Sequence, residues 1–531
     1  MKKYILVSAA LSVVLAGCTD LDTAPEGNII TADQKSDIVE ANPERAEASV
    51  TAIFAQFKEY EPNYTALGSC HNDFGYGSIM LETDLDGEDV VSSSTGYNWF
   101  SAGLAFDNRV YSSYHVDIVW ADFYHYIYAA NNIVSVMDPE SDDAQTQFYL
   151  AQGLAARGFA YLGLAQLFQF NYTQVDPASA PCVPLITNEN ATEAAADGAP
   201  RATVAEIAAQ IKSDLDLAIN LLQKSEAAGY TRSDKRYISL AVAYGLRARY
   251  DLYVHDMSAA ASDAQAAINA SDARPATISE VSQPTFSSAS EPNWMWGIIV
   301  AETDDVTTSG IVNWISHMGT INYGYGWYNN GYRISKKLYE TISATDVRKG
   351  WFLDGNGESA TLASKYYTAV ANNFDPIPPY LEVKFGPYND EPETSTNAND
   401  IPLMRIEEMY LILAEASQDA GALQSFVSTY RDPSYTCSLS GDALTDEIFR
   451  QRRIELWGEG LVWYDIMRLN KGFDRRGCGF PEATSVLNVP AGSPILVWPI
   501  PESEIQANPA ISDSDNNACI NDFATNYQVT E

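Results

Sequence analysis

The sequence predicts a mostly α-helical protein whose helices pair into a scaffold, interrupted by a loop-rich insertion that carries short strands. Three observations predict it. Apolar residues recur at threes and fours through much of the chain, and small residues line one of the resulting helices. From about 275 to 400 that periodicity gives way to Pro, Gly, Asn, Thr and aromatic residues. With 531 residues, 46% of them hydrophobic, the chain can bury a large core.

The chain opens with Met1-Lys2-Lys3, an apolar run from Tyr4 to Val14, and Leu15-Ala16-Gly17-Cys18. That run is too short to span a ~30 Å hydrocarbon core, but it suits the apolar region of a signal peptide. A thiol directly after Gly17 marks 1–17 as a lipoprotein signal and Cys18 as the lipidated residue. Acyl chains contribute about 0.8 kcal/mol per buried methylene, so a multiply acylated Cys18 would anchor the chain permanently.

Residues 116–137 place Ile118, Val119, Phe123, Tyr126, Ile127 and Ala130 on one helical face, and Asp138-Pro139 ends the run. Residues 145–169 repeat the pattern, with Ala155, Ala156, Gly158 and Ala160 small enough for a neighbour to pack closely. Further helices are expected at 203–223, opened by a Thr203/Glu206 capping box, and at 235–254 and 258–270. No strict repeat of about 34 residues is visible. Within the insertion, 293–300 reads as a strand with Trp294 and Trp296 in the core. Helices resume at 401–420 and at 442–457, continuing toward 470, before an extended tail. The chain therefore divides at 1–17, 18–274, 275–400 and 401–531.

Lys and Arg number 32 against 70 Asp and Glu, a net charge of -38 that repels phosphate backbones and anionic lipid. No nucleic-acid partner is expected. Lipidation of Cys18 leaves Cys70, Cys182, Cys437, Cys478 and Cys519, an odd number, with Cys437, Cys478 and Cys519 as candidates for one bridge whose pairing stays open.

The carboxylates invite an enzyme reading. Glycoside hydrolysis needs one carboxyl kept protonated. Glu455 and Glu459 lie four apart, but Arg452 and Arg453 stand within a turn and favour the ionised form, so an ion-pair network is expected there. Asp73, Asp84, Asp86, Glu88 and Asp89 could hold calcium in a loop, although the glycine of Asp84-Leu85-Asp86-Gly87 comes too early for an EF-hand. The five histidines include no zinc-type pair, and no Gly-x-Ser-x-Gly elbow appears.

Several segments carry a family resemblance. Cys18-Thr19-Asp20-Leu21-Asp22-Thr23-Ala24-Pro25 resembles the mature start of the SusD/RagB family, and Trp120 with Tyr128-Ala129-Ala130-Asn131-Asn132 is similar to its W…Y-x-A-N-N helix. Arg157 with Ala160-Tyr161, Pro200-Arg201-Ala202-Thr203, and Pro402 to Arg405 followed by Glu408-Met409 and Ala414-Glu415-Ala416 resemble further family segments. So do Arg452 to Arg468 and Trp498-Pro499-Ile500-Pro501. One departure is Val462, where the family usually has a basic residue after Glu-Gly. The resemblance implies a surface-exposed outer-membrane lipoprotein with tetratricopeptide-like helix pairs. It further implies an oligosaccharide ligand, a SusC-like TonB-dependent barrel transporter as partner, and no catalysis; some members serve peptides instead.

A pyranose presents an apolar C–H face and a rim of hydroxyls, so its site needs exposed rings beside hydrogen-bonding groups. Two segments offer them. Tyr97-Asn98-Trp99 lies on an expected loop, and Trp314 with Tyr323, Tyr325, Trp327 and Tyr328 supplies further rings, with Gly324 and Gly326 freeing the backbone to turn alternate side chains outward. The family's sites tend to be built from loops in these two regions. Glycan capture is thus the first reading, peptide capture on the same architecture the second, and a glycan-processing enzyme the third.

Overall fold

Asp143 accepts a hydrogen bond from the Thr146 backbone N–H at 2.7 Å and so starts helix Ala144–Phe168, which is buried along nearly its whole length. The computed structural model describes residues 46–60, 71–94, 96–518 and 524–531; the Cys18 signal, Cys70 and Cys519 lie outside them. The main helices are α1 Glu47–Ala55, α2 Tyr76–Asp86, α3 Tyr114–Val134, α4 Ala144–Phe168, α5 Val204–Ala227, α6 Leu240–Val254 and α7 Met257–Ala270. After the insertion come α8 Ile406–Ala416, α9 Ala420–Tyr430, α10 Asp442–Glu455 and α11 Val462–Arg468.

Helix α4 is packed between α3 and α5, and α5, α6, α7 and α8 continue side by side. Small residues permit this. A Cβ on Gly163 would lie 2.4 Å from the Phe123 ring of α3, and one on Gly158 would lie 3.1 Å from Leu215 of α5. The expected capping box at Thr203/Glu206 opens α5. Among the described residues no helix is long and apolar enough to cross a membrane.

Among the described residues, four two-stranded antiparallel sheets accompany the helices: β1 Val90–Val91 with β5 Arg333–Ile334, β2 Pro181–Pro184 with β3 Arg201–Thr203, β4 Trp294–Ile298 with β6 Ile401–Arg405, and β7 Phe473–Asp474 with β8 Asn488–Val489. Trp294 and Trp296 are buried as expected. The expected helix 401–420 is corrected. Residues 401–405 are extended and pair with β4 in the register Trp294↔Arg405 and Ile298↔Ile401, and helix begins only at Ile406. Pro402, which cannot continue a helical hydrogen-bond ladder, fits the strand. Helix α10 likewise ends at Glu455 rather than running on, because Gly458 and Gly460 adopt φ of +75° and +69°. At Gly460 a Cβ would also stand 2.8 Å from Met80.

That turn buries the expected ion-pair network. Arg405 donates to Glu459 at 2.9 and 2.8 Å and to Glu455 at 3.0 Å, Arg431 donates to Glu455 at 2.8 Å, and Lys384 reaches Glu459 at 2.6 Å. Despite burial, the surrounding cations hold Glu455 well below the usual carboxylate range and lower Glu459 as well. Neither can act as a general acid near neutral pH. Removing one partner would leave a buried charge uncompensated, so the network locks β6, α10 and the 458–460 turn together.

Four of the five carboxylates considered for calcium face cations or a backbone N–H. Asp86 pairs with Arg109, Glu88 and Asp89 with Arg453, and Asp84 accepts the Gly460 N–H at 3.0 Å. Among the described residues no group of three or more His, Cys, Asp or Glu is gathered to hold a metal. Cys182, Cys437 and Cys478 are free thiols, so Cys437 and Cys478 are not bridged to each other.

Candidate functional site: an aromatic face built from two loops

Pairing of β1 with β5 aligns Val90 with Ile334 and Val91 with Arg333. The loop that follows β1 carries Tyr97 and Trp99, and the short helix Tyr325–Tyr328 precedes β5, so the two aromatic segments are drawn to the same place. They meet backbone to backbone. Gly96 has φ +75°, and a Cβ there would stand 2.2 Å from the Tyr328 carbonyl oxygen; only glycine fits that contact.

The rings form layers. Tyr97 and Tyr328 are outermost, 57% and 50% exposed, and meet edge to face with centroids 5.7 Å apart. Beneath them Trp99, half-buried, stacks on the His71 ring at 4.5 Å, and Tyr323 meets the half-buried Trp327 edge to face at 5.0 Å. Deepest is Tyr325, only 3% exposed, stacked on His317 at 4.6 Å with its hydroxyl hydrogen-bonded to His71 Nδ1. Burial lowers the His317 pKa to about 3, so that ring is neutral at physiological pH; its Nε2 donates to the His71 carbonyl at 3.0 Å. The exposed rings therefore rest on a packed, uncharged base.

Three of the expected site residues are buried. Trp314 is 1% exposed and packs edge to face on Phe385 at 4.9 Å, so it has no free face. Tyr325 supports the platform from below. The buried Asn98 amide donates to the Ser93 carbonyl at 2.7 Å and to Ser92 Oγ at 3.2 Å while accepting the Phe100 N–H at 3.2 Å, so its hydrogen-bonding groups shape the loop. Nor do Gly324 and Gly326 alternate side chains outward. The segment is helical, and Cβ atoms at these positions would meet Ser316 at 2.6 Å and the Gly319 carbonyl at 2.3 Å. Sequence reasoning missed His71, which backs Trp99 and binds Tyr325; an isolated histidine belongs to no motif that would reveal this. Tyr97 and Tyr328 are the exposed rings, with Trp99, Tyr323 and Trp327 partly covered beside them.

An open cleft of about 420 Å³ begins at this face, with Trp99 and Asn98 in its wall. Exposed rings next to such a cleft can stack on the apolar face of a sugar while neighbouring hydroxyls and amides bond its rim.

Comparison with known proteins agrees with the fold. Residues 48–250 match a SusD-like family described as starch-binding and associating with the outer membrane, and residues 313–517 match the SusD family. SusD-like protein P2 of Formosa agariphila is 26% identical over 518 residues, spanning 89% of this chain and 92% of that protein. A SusD-like carbohydrate binding protein from Bacteroides vulgatus superposes with a TM-score of 0.71 at 24% identity, over 89% of this chain and 97% of that one. Surface glycan-binding protein A from Bacteroides thetaiotaomicron, in complex with laminarihexaose, superposes with a TM-score of 0.57 at 16% identity, over 88% and 98% of the two chains.

Proposed function

Since the chain belongs to the SusD/RagB family, we propose that it captures oligosaccharides at the cell surface and delivers them to a SusC-like TonB-dependent barrel transporter. Cys18 serves as its lipid anchor in the outer membrane. The observation that carries this reading is the convergence of Tyr97, Trp99 and Tyr328 on one exposed face beside an open cleft. The laminarihexaose bound by a structural relative supports an oligosaccharide ligand here. No catalysis is proposed, because Glu455 and Glu459 are locked by Arg405, Arg431 and Lys384.

A glycan-array screen of the chain lacking residues 1–18, followed by incubation with any ligand found, tests the reading. Binding to neutral glycans without cleavage products is expected. Silence across plant, fungal and host polysaccharides together with binding of peptides would contradict it, and cleavage of the bound glycan would establish an enzyme.

A further inference from the structure

The cleft that begins at Trp99 runs toward Ser112, Ser113 and Tyr114. A second open cleft, of about 340 Å³, is walled by Ser94, Thr484 and Gln528. Both are lined by Ser101, Ala102 and Asp107. The short helix Ser101–Ala105 thus lies between the two, and the side chains of Ser101 and Ala102 are too small to raise a wall there. Ser101, Ser112 and Ser113 bring hydroxyls to the first cleft beside Trp99, Val110 and Tyr114, and Ser94, Thr484 and Gln528 bring hydroxyl and amide groups to the second. The 40% exposed ring of Tyr114 stands at one end.

We propose that the two clefts act as one groove that carries a chain of neutral sugars onward from the aromatic face, so that the ligand is an extended polysaccharide segment rather than a chain end or a disaccharide. This rests on the glycan-capture reading and deepens it. Three features favour that occupant. The groove is continuous with the platform through Asn98 and Trp99, which would let one chain touch both. Its lining carries hydroxyl or amide groups along both clefts, suited to a ligand that offers hydroxyls along its whole length. The net charge of -38 repels uronate or sulfate groups and so favours a neutral chain.

The test is calorimetry on the full-length protein in detergent with laminari-, cello- and xylo-oligosaccharide ladders from disaccharide to octasaccharide. The parent protein and two variants, Ala102→Leu at the shared stretch and Gln528→Ala at the far cleft, are compared, with melting temperatures confirming that each variant folds. In the ladder that binds, affinity is expected to rise at least tenfold from the shortest to the longest member. Ala102→Leu should remove most of that gain while leaving the shortest bound member within twofold, and Gln528→Ala should weaken only the longest members. Affinity independent of length, or a length gain untouched by both variants, overturns the groove while leaving the capture function standing. Silence of all ladders overturns the groove, and the capture function falls with it only where the wider glycan screen is silent too.

Discussion

Trp314 and Trp99 are both single tryptophans in aromatic-rich segments, yet the first is fully buried and the second only half-buried. Trp314 is enclosed by Phe385 and by the backbone near Gly77, whose added Cβ would come within 3.2 Å of the Trp314 Cβ. Trp314→Ala should therefore destabilise the protein by roughly 3–5 kcal/mol, read as a lower melting temperature, with ligand affinity retained by the folded fraction. Loss of affinity without loss of stability would show that the ring reaches ligand after all. The Tyr97 and Trp99 cluster was legible in the sequence, because rings beside Ser, Asn and Gly on a loop have little to bury them. The burial of Trp314 and the internal bonding of Asn98 were not. Phe385, the partner of Trp314, is distant in sequence, and an asparagine looks the same whether it faces a sugar or its own loop.

Helices α5, α6 and α7 meet through Arg247, which donates to Asp216 at 2.8 Å and to the two oxygens of Asp263 at 2.5 and 2.8 Å. Asp251 of α6 sits beside Asp263, and burial, then the Asp263 charge, pushes its carboxyl up to about 8. An unfolded aspartate titrates near 4, so between about pH 4 and 8 the folded state holds the extra proton. The contribution of this group to stability is therefore fully present below about pH 4 and is lost as pH rises through 8. Asp251→Asn, which cannot ionise, should gain stability relative to the parent by on the order of 1–3 kcal/mol as pH rises from 4 to 8, levelling off above. Melting curves across that range check it; a constant difference would refute the retained proton. Helix existence at this level was legible from 3.6-residue periodicity and from the Thr203/Glu206 cap. Strand β6 was not, since it is defined by pairing with β4 about a hundred residues away, and neither was the break after Glu455, where tertiary contact with Met80 decides the turn.

Across the whole molecule, a stacked-helix scaffold and a buried Arg405–Glu455–Glu459 network hold the insertion against the body, while the β1–β5 pairing brings two loops far apart in sequence into one aromatic face. The site is thus a product of topology: its composition could be read along the chain, its assembly only from strand register. Capture of oligosaccharide by that face is the role proposed for it. The most direct measurement is the calorimetric affinity of a Tyr97→Ala/Tyr328→Ala double variant for the best oligosaccharide found by screening, beside the parent protein. Because both rings lie at the surface, the melting temperature should hold while affinity falls at least tenfold, about 1.4 kcal/mol. An unchanged affinity with an unchanged melting temperature would place the binding site elsewhere on the molecule.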